Sequence, residues 1–227
     1  MNIAVGSAFR NSAGAHLSRY IHQLDRFRVE ALARGHHVRW IAAEGDSVDN
    51  TRMEILRFAR QLPIELHITV RAHGGPVFGS TEGADRMKAL SYVGNGILEN
   101  VGPDVDALVY IESDLVWKPG TMLRLIDKLE GDVDVVSPLI FAGEAFYDIW
   151  AFRKGGERFG PFAPFHPELH PTELTEVESA GSCLVMRGEV ARTCRIVDDM
   201  ALVGFCRDAR AKGYNIYVDP TERIEHP

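Results

Sequence analysis

The chain has 227 residues, 45% of them apolar and 25% charged, a size suited to one large domain or a tightly fused pair and a composition ordinary for a soluble globular protein. Its formal net charge of −7 disfavours broad, sequence-blind nucleic-acid binding, which needs a basic face, but leaves room for a local groove built from Arg52, Arg57, Arg60, Arg71, Arg86 and Lys88. No apolar run reaches the roughly 18 residues of a membrane span, and the opening "MNIAVGSAFRN" reads as a core strand rather than a signal peptide, so the expected location is the cytoplasm.

In chain order, residues 1–7 read as a first strand and 15–33 as a helix, with apolar residues near helical spacing and Gly35 as its stop. "HHVRWIAA" is a second strand, "EGDSVDN" a turn-rich loop, and 51–62 a helix. "IELHITVRA" is a third strand, followed by the flexible, glycine-rich stretch "HGGPVFGSTEG" and a helix over 85–100. Residues 107–111 form a fourth strand, 119–129 a helix opened by proline, and "VDVVSPLI" another strand. From about residue 140 the chain turns aromatic and rich in glycine and proline, without helical period; it serves either as an acceptor pocket wall or as a small satellite core. "GSCLVMRGEVART" then reads strand to helix, and "MALVGFCRDARAKGYNIYVDP" helix, glycine stop, strand.

Strands alternating with helices predict an α/β sheet, parallel in its first half. Ligands of such sheets bind beyond the carboxyl ends of the strands. The informative loops are therefore "SAFRN", "AEGDSVDN", "HGGPVFGS" and "ESDLVW". The three cysteines, Cys183, Cys194 and Cys206, form no CxxC pair and are expected to be reduced and partly buried. The chain has no GxGxxG after the first strand, no GxxxxGK[ST], no GxSxG and no HExxH. That disfavours a dinucleotide-binding site, a P-loop, a hydrolase elbow and a zinc-protease helix.

What remains is Glu112-x-Asp114 where the fourth strand ends. Residues two apart on a strand face the same side. Two carboxylates at that edge make a hard oxygen site for Mn²⁺ or Mg²⁺, whose shell water and phosphates complete. Solvated acids closing a strand would look the same, so the pair alone leaves both readings open.

At this point the chain resembles the family-2 type of glycosyltransferase with the GT-A fold. There an apolar strand ends in an acidic DxD-like motif and runs into a proline-headed helix, here "YIESDLVWKPGTMLRLIDKL". "AVGSAFRNSAGAHLSRYIHQL", "IAAEGDSVDNT", "GADRMKALSYVGNGIL", "SAGSCLVMRGEV" and "GFCRDARAKGYNIYVDP" follow the same family order. The Arg-Asn turn, the "EGDS" loop and "YDIWAFR" are closer to the fungal mannan-polymerase and capsular mannosyltransferase branch.

The resemblance implies one GT-A domain over 1–227, with a nucleotide-binding half, 1–117, and an acceptor-binding half, 118–227. It implies metal-dependent transfer of a hexose from a UDP- or GDP-sugar to an acceptor hydroxyl on a glycan, a small molecule, a protein or a modified nucleic-acid base. Asp46 would accept hydrogen bonds from the base, or simply stabilise its turn. Ser7, Arg10 and Asn11 would lie along base or ribose. Arg86 and Lys88 would meet the diphosphate, or form a solvated helix face. Asp114 is the leading metal ligand, with Glu112 beside it, Ser113 between them, and His226 as a third donor.

Inverting members carry a Glu-Asp pair at the start of the last helix, and here Ala201 and Leu202 stand in its place. Either Asp198 or Asp199 supplies the base, or anomeric configuration is retained with Glu178 or Asp148 near the sugar. Asp198 and Asp199 also suit simple helix capping. Two other classes stay open: a sugar-1-phosphate nucleotidyltransferase, and a catalytically silent nucleotide-sugar-binding module.

Overall fold

The structure is a computed structural model, and it describes residues 1–75, 78 and 83–227. Most of the loop "HGGPVFGSTEG", at 76, 77 and 79–82, lies outside the described residues. The first half is built of strand–helix units: β1 (Asn2–Phe9), α1 (Leu17–Ala33), β2 (His37–Glu44), α2 (Thr51–Gln61), β3 (Glu65–Val70), α3 (Ala84–Leu98) and β4 (Ala107–Ile111). All five residues of β4 are buried, as expected of a central strand covered on both faces. In α1 the residues Leu17, Tyr20, Ile21, Leu24, Phe27 and Ala31 form one buried stripe at helical spacing. Gly35, at φ +77, takes the left-handed turn that ends this helix.

The second half contains α4 (Pro119–Asp127), β5 (Val135–Ala142), β6 (Ala145–Phe146), the hairpin β7 (Arg153–Lys154) and β8 (Glu157–Arg158), β9 (Thr175–Glu176), β10 (Cys183–Arg187), α5 (Gly188–Thr193), α6 (Ala201–Ala211) and β11 (Ile216–Glu225). Both halves share one nine-stranded sheet, ordered β3-β2-β1-β4-β10-β5-β11-β9, with β6 paired to β5. β10 enters antiparallel between β4 and β5, while β1 to β5 and β11 run the same way, so the sheet is mostly parallel. The three cysteines are buried free thiols.

Two features of this topology place the site. The strand order reverses at β1 and β4, which pair directly, and a crevice opens beyond their carboxyl ends at such a switch point. β11 also does not stop at Pro220. A register shift between Asp219 and Arg223 absorbs the proline, after which Arg223, Ile224 and Glu225 pair again with Leu139, Ile140 and Phe141. The paired backbone of Val116 and Glu225 and the His226 N–H to the Phe141 carbonyl, 2.7 Å, bring the chain back to the end of β4.

The aromatic segment after residue 140 forms a small satellite core and also lines a cavity. Phe146, Phe152 and Phe159 are nearly fully buried and pack edge-on or tilted at 4.9–5.9 Å as a satellite of the core. Tyr147, Ile149 and Trp150 turn instead to a cavity on the crevice side. Among the described residues, no helix is long and apolar enough to cross a membrane.

Candidate active site

The loop after β4 is braced from α1. Arg19 donates to the Asp114 carbonyl at 2.6 Å, and the Gln23 side chain bridges the Leu115 carbonyl and the Trp117 amide. The Glu112 amide donates to the Ser182 carbonyl at 2.8 Å, tying the loop to the start of β10. The two carboxylates are therefore carried by backbone that several elements hold. His226 faces them, with Nε2 3.5 Å from Asp114 Oδ2, and its ring lies flat on Tyr147 at 3.9 Å and 16°.

Two cavities meet here. The first, about 270 Å³, lies beyond β1 and β2 and is lined by Phe9, Arg10, His16, His73, Phe78 and Asp114, among others. The second, about 290 Å³, is lined by Tyr147, Asp148, Trp150, Gly181, Ser182 and the first residues of α6, Ala201 and Leu202. Arg86 and Glu112 line both. A molecule long enough to occupy both cavities would pass its middle beside the Arg86 guanidinium and the Glu112 carboxyl group.

The electrostatics follow from enclosure. Burial, with the charges of Asp114 and Asp148 adding to it, pushes the Glu112 carboxyl up to about 8, against the pull of Arg86 and Ser182. Burial also raises Asp148, opposed by the Ser182 hydroxyl, which donates to Asp148 Oδ2 at 2.7 Å. Burial lowers His16, whose Nε2 is 3.1 Å from Ser113 Oγ. A group of like-charged carboxyls is held here at an electrostatic cost that a cation or a proton would relieve.

The other candidates are placed as follows. Arg10 lines the first cavity; it donates to the Gly75 carbonyl at 2.7 Å, and its Nε is buried without a hydrogen-bond partner. Asn11, at φ 49, accepts from Val48 and so laces the β1 turn to the β2 turn. Asp46 sits behind the cavity lining, where Oδ2 accepts the amides of His73 at 2.6 Å and Gly75 at 3.1 Å. These bonds, the His73 amide first, hold its carboxyl below the ordinary value. Asp46 thus locks the end of β2 to the loop that presents His73.

Four expectations need correction. Ser7 is fully buried, with its hydroxyl between Tyr20 and the Ile111 carbonyl, so it is a core residue under the cavity floor. Lys88 points to solvent from α3 while Arg86, two residues earlier, reaches both cavities. Glu178 accepts the Gly156 amide and lines a separate pocket with Arg153 and Arg207. Asp198 pairs with Arg207 at 2.7 Å, and α6 begins after Met200 without a side-chain cap. Asp198 and Asp199, both with left-handed backbone, line neither cavity and do not cap the helix.

Sequence reasoning did not single out the cavity-lining residues His16, His73, Tyr147, Gly181 and Ser182. His16 and His73 were readable, since both lie on loops at the carboxyl edge of the sheet. The role of Ser182 depends on the meeting of β4, β10 and the 147–151 turn, for which no local signal exists.

No protein-family model and no curated protein sequence matches the chain. Solved structures do. TarS of S. aureus superposes with a TM-score of 0.57 at 13% identity, over 99% of this chain and 36% of that one. Residues 1–349 of TarS in complex with UDP-GlcNAc give 0.55 and 12%, over 99% and 58%. The inositol-1-phosphate CTP transferase of T. maritima gives 0.55 and 8%, over 100% and 88%. The chain has a GT-A-like fold. It spans between about a third and three-fifths of the TarS chains that it matches.

Proposed function

We propose that the chain is a metal-dependent glycosyltransferase that moves a hexose from a UDP- or GDP-sugar to an acceptor hydroxyl. One observation carries this reading: Glu112, Asp114 and Arg86 stand where two cavities meet at the switch point of the sheet, with His226 brought up to Asp114. The first cavity, floored by the 1–117 half, suits nucleoside, and the second, walled largely by the 118–227 half, suits sugar and acceptor. Fold neighbours include TarS in complex with UDP-GlcNAc and an inositol-1-phosphate CTP transferase, so the fold does not choose between glycosyl and nucleotidyl transfer. The second cavity, and a loop after β1 that fits the phosphate-cradling pattern only in part, with Arg10 as its one basic residue, favour the first.

The donors fit a Mn²⁺ or Mg²⁺ ion. Among the described residues no group of three His, Cys, Asp or Glu side chains encloses a metal by itself. Such ions commonly take one or two protein carboxylates and fill their shell with water and phosphate oxygens. Asp114 and His226 would hold the ion with Glu112 beside them. Bound there it would act as a Lewis acid on the leaving diphosphate.

The test is donor cleavage. The protein is incubated with UDP-glucose, UDP-N-acetylglucosamine and GDP-mannose, with and without Mn²⁺, and nucleoside diphosphate release is followed. GDP-mannose belongs in the panel because of the mannosyltransferase-like "YDIWAFR". Metal-dependent release that Asp114→Ala abolishes supports the reading. Pyrophosphate release from a nucleoside triphosphate plus a sugar phosphate would replace it with nucleotidyl transfer.

A further inference from the structure

The last helix lacks the acid expected in its first turn, yet the cavity wall that it forms does not lack a carboxylate. Ala201 and Leu202 line one side of the second cavity, and Asp148 lines the same cavity from the turn after β6. Of the acids lining it, Glu112 also faces the first cavity and the Asp114 charge, which leaves Asp148 for the sugar side.

The Asp148 side chain is built in rather than merely present. Ser182 Oγ donates to Oδ2 at 2.7 Å, and Ser182 itself has φ 54. The carbonyl of Asp148 accepts the amides of Ala151 and Phe152, closing the turn that presents the side chain. Gly181 leaves the space: a Cβ there would stand 2.6 Å from Asp148 Oδ2 and 2.5 Å from the Ala151 Cβ. A carboxylate has about four acceptor positions, of which the Ser182 hydroxyl and the Ala151 amide engage two, so the group retains capacity for a substrate proton.

On the glycosyl-transfer reading, on which this rests, we propose that Asp148 is the general base and that transfer inverts the anomeric carbon. The acceptor O–H bond breaks and its proton passes to the Asp148 carboxylate. The freed oxygen pair forms the new bond to the anomeric carbon from the face opposite the diphosphate. The bond from that carbon to the phosphate oxygen breaks, and its electron pair leaves with the nucleoside diphosphate beside Arg86. Ser182 is a positioning residue that fixes the carboxylate. The empty acid position on α6 therefore does not require a retaining reaction.

The experiment uses the full chain with Mn²⁺, the three α-linked donors named above, and two probe acceptors, water and azide. Azide is already ionised and needs no base. Wild type is expected to release the β-sugar first with water, seen by proton NMR before mutarotation. Asp148→Asn is expected to lose about 10²- to 10⁴-fold in turnover with water. It should keep its affinity for nucleoside diphosphate and match wild type within a few fold with azide, yielding the β-azide. An α-sugar released first overturns the assignment. So does an unimpaired Asp148→Asn, or one equally impaired with azide. Should Asp148→Asn fail to fold, Ser182→Ala decides: about tenfold slower with water and unchanged with azide supports the base, and no change with water overturns it. Wild type that cleaves none of the donors removes the glycosyltransferase reading and this one with it, a different failure from an unimpaired variant.

Discussion

His226 Nε2 lies 3.5 Å from Asp114 Oδ2, and the imidazole is clamped flat against Tyr147 at 3.9 Å. The contact exists because β11 resumes pairing with β5 after its irregularity at Asp219 and Arg223. Without that resumption the chain would leave the sheet at Pro220, before His226 reached the β4 loop. On the proposed metal-dependent reading the pair would supply part of a coordination set, and its ring plane is already fixed by stacking.

Metal binding should therefore depend on all three residues in a graded way. Mn²⁺ at about 100 times its dissociation constant should stabilise wild type by about 2.7 kcal/mol, a rise in Tm of roughly 5–11 °C. Asp114→Ala should abolish the rise. His226→Ala should weaken Mn²⁺ by roughly 10- to 100-fold, and Tyr147→Ala by less, since it only orients the ring. Tyr147→Phe should behave as wild type. Thermal melts over a Mn²⁺ titration, with chelator controls, read all four.

Asp46 predicts a pH-dependent loop. Its carboxyl sits below the ordinary value because the His73 amide, and less strongly the Gly75 amide, bond to the charged form. A depressed carboxyl stabilises the folded arrangement above its unfolded value, about 3.9, and the contribution is lost as pH falls through the lower folded value. Hydrogen exchange at the His73 and Gly75 amides should thus be slow at neutral pH and speed selectively on acidification below about pH 4. In Asp46→Asn the acid-dependent step should disappear. Unchanged protection in that variant would remove Asp46 from the loop's support.

The satellite core makes a stability prediction. Phe146 is 2% exposed and its ring packs 4.9 Å from Phe152, edge-on, and 5.9 Å from Phe159. Phe146→Ala should cost about 3–5 kcal/mol in denaturant unfolding, the usual range for an emptied aromatic site. It should also loosen Tyr147 and Asp148, the next two residues, so donor cleavage should fall beyond what the unfolded fraction explains.

The elements differ in how far the sequence exposes them. The α/β alternation and the acids of β4 were legible because both depend on local periodicity: a five-residue apolar run ending in Glu112-Ser113-Asp114 forces the carboxylates to a strand end. Ser7 was misplaced because a polar residue near a strand end reads as exposed, whereas here Tyr20 of α1 supplies a buried partner from across the layer. Glu178 and Asp148 were indistinguishable as isolated acids, and only the fold separates them. One accepts the Gly156 amide in a distant pocket, and the other is held by Ser182 in the second cavity. His226 was legible only by resemblance, since a proline inside a strand pattern normally ends it.

The first turn of α6 offers a reverse test of the base assignment. Ala201 has φ 46, a left-handed conformation that costs alanine more than aspartate, and it lines the second cavity. The first turn carries no acid to meet the positive end of the helix dipole. Ala201→Asp should therefore stabilise the fold by about 0.3–1 kcal/mol from the dipole, with some relief of backbone strain added. It would also restore a carboxylate to the wall where Asp148 now acts alone on the sugar side. In wild type the change should alter donor hydrolysis little, because a base is already in place. In the Asp148→Asn background it should recover part of the lost turnover with water while leaving turnover with azide unaffected. Recovery with water alone would show that the cavity needs a proton acceptor on this wall, whichever element supplies it. Failure to recover, in a protein that melts no lower than its parent, would mean that the position of Asp148 matters as much as its charge.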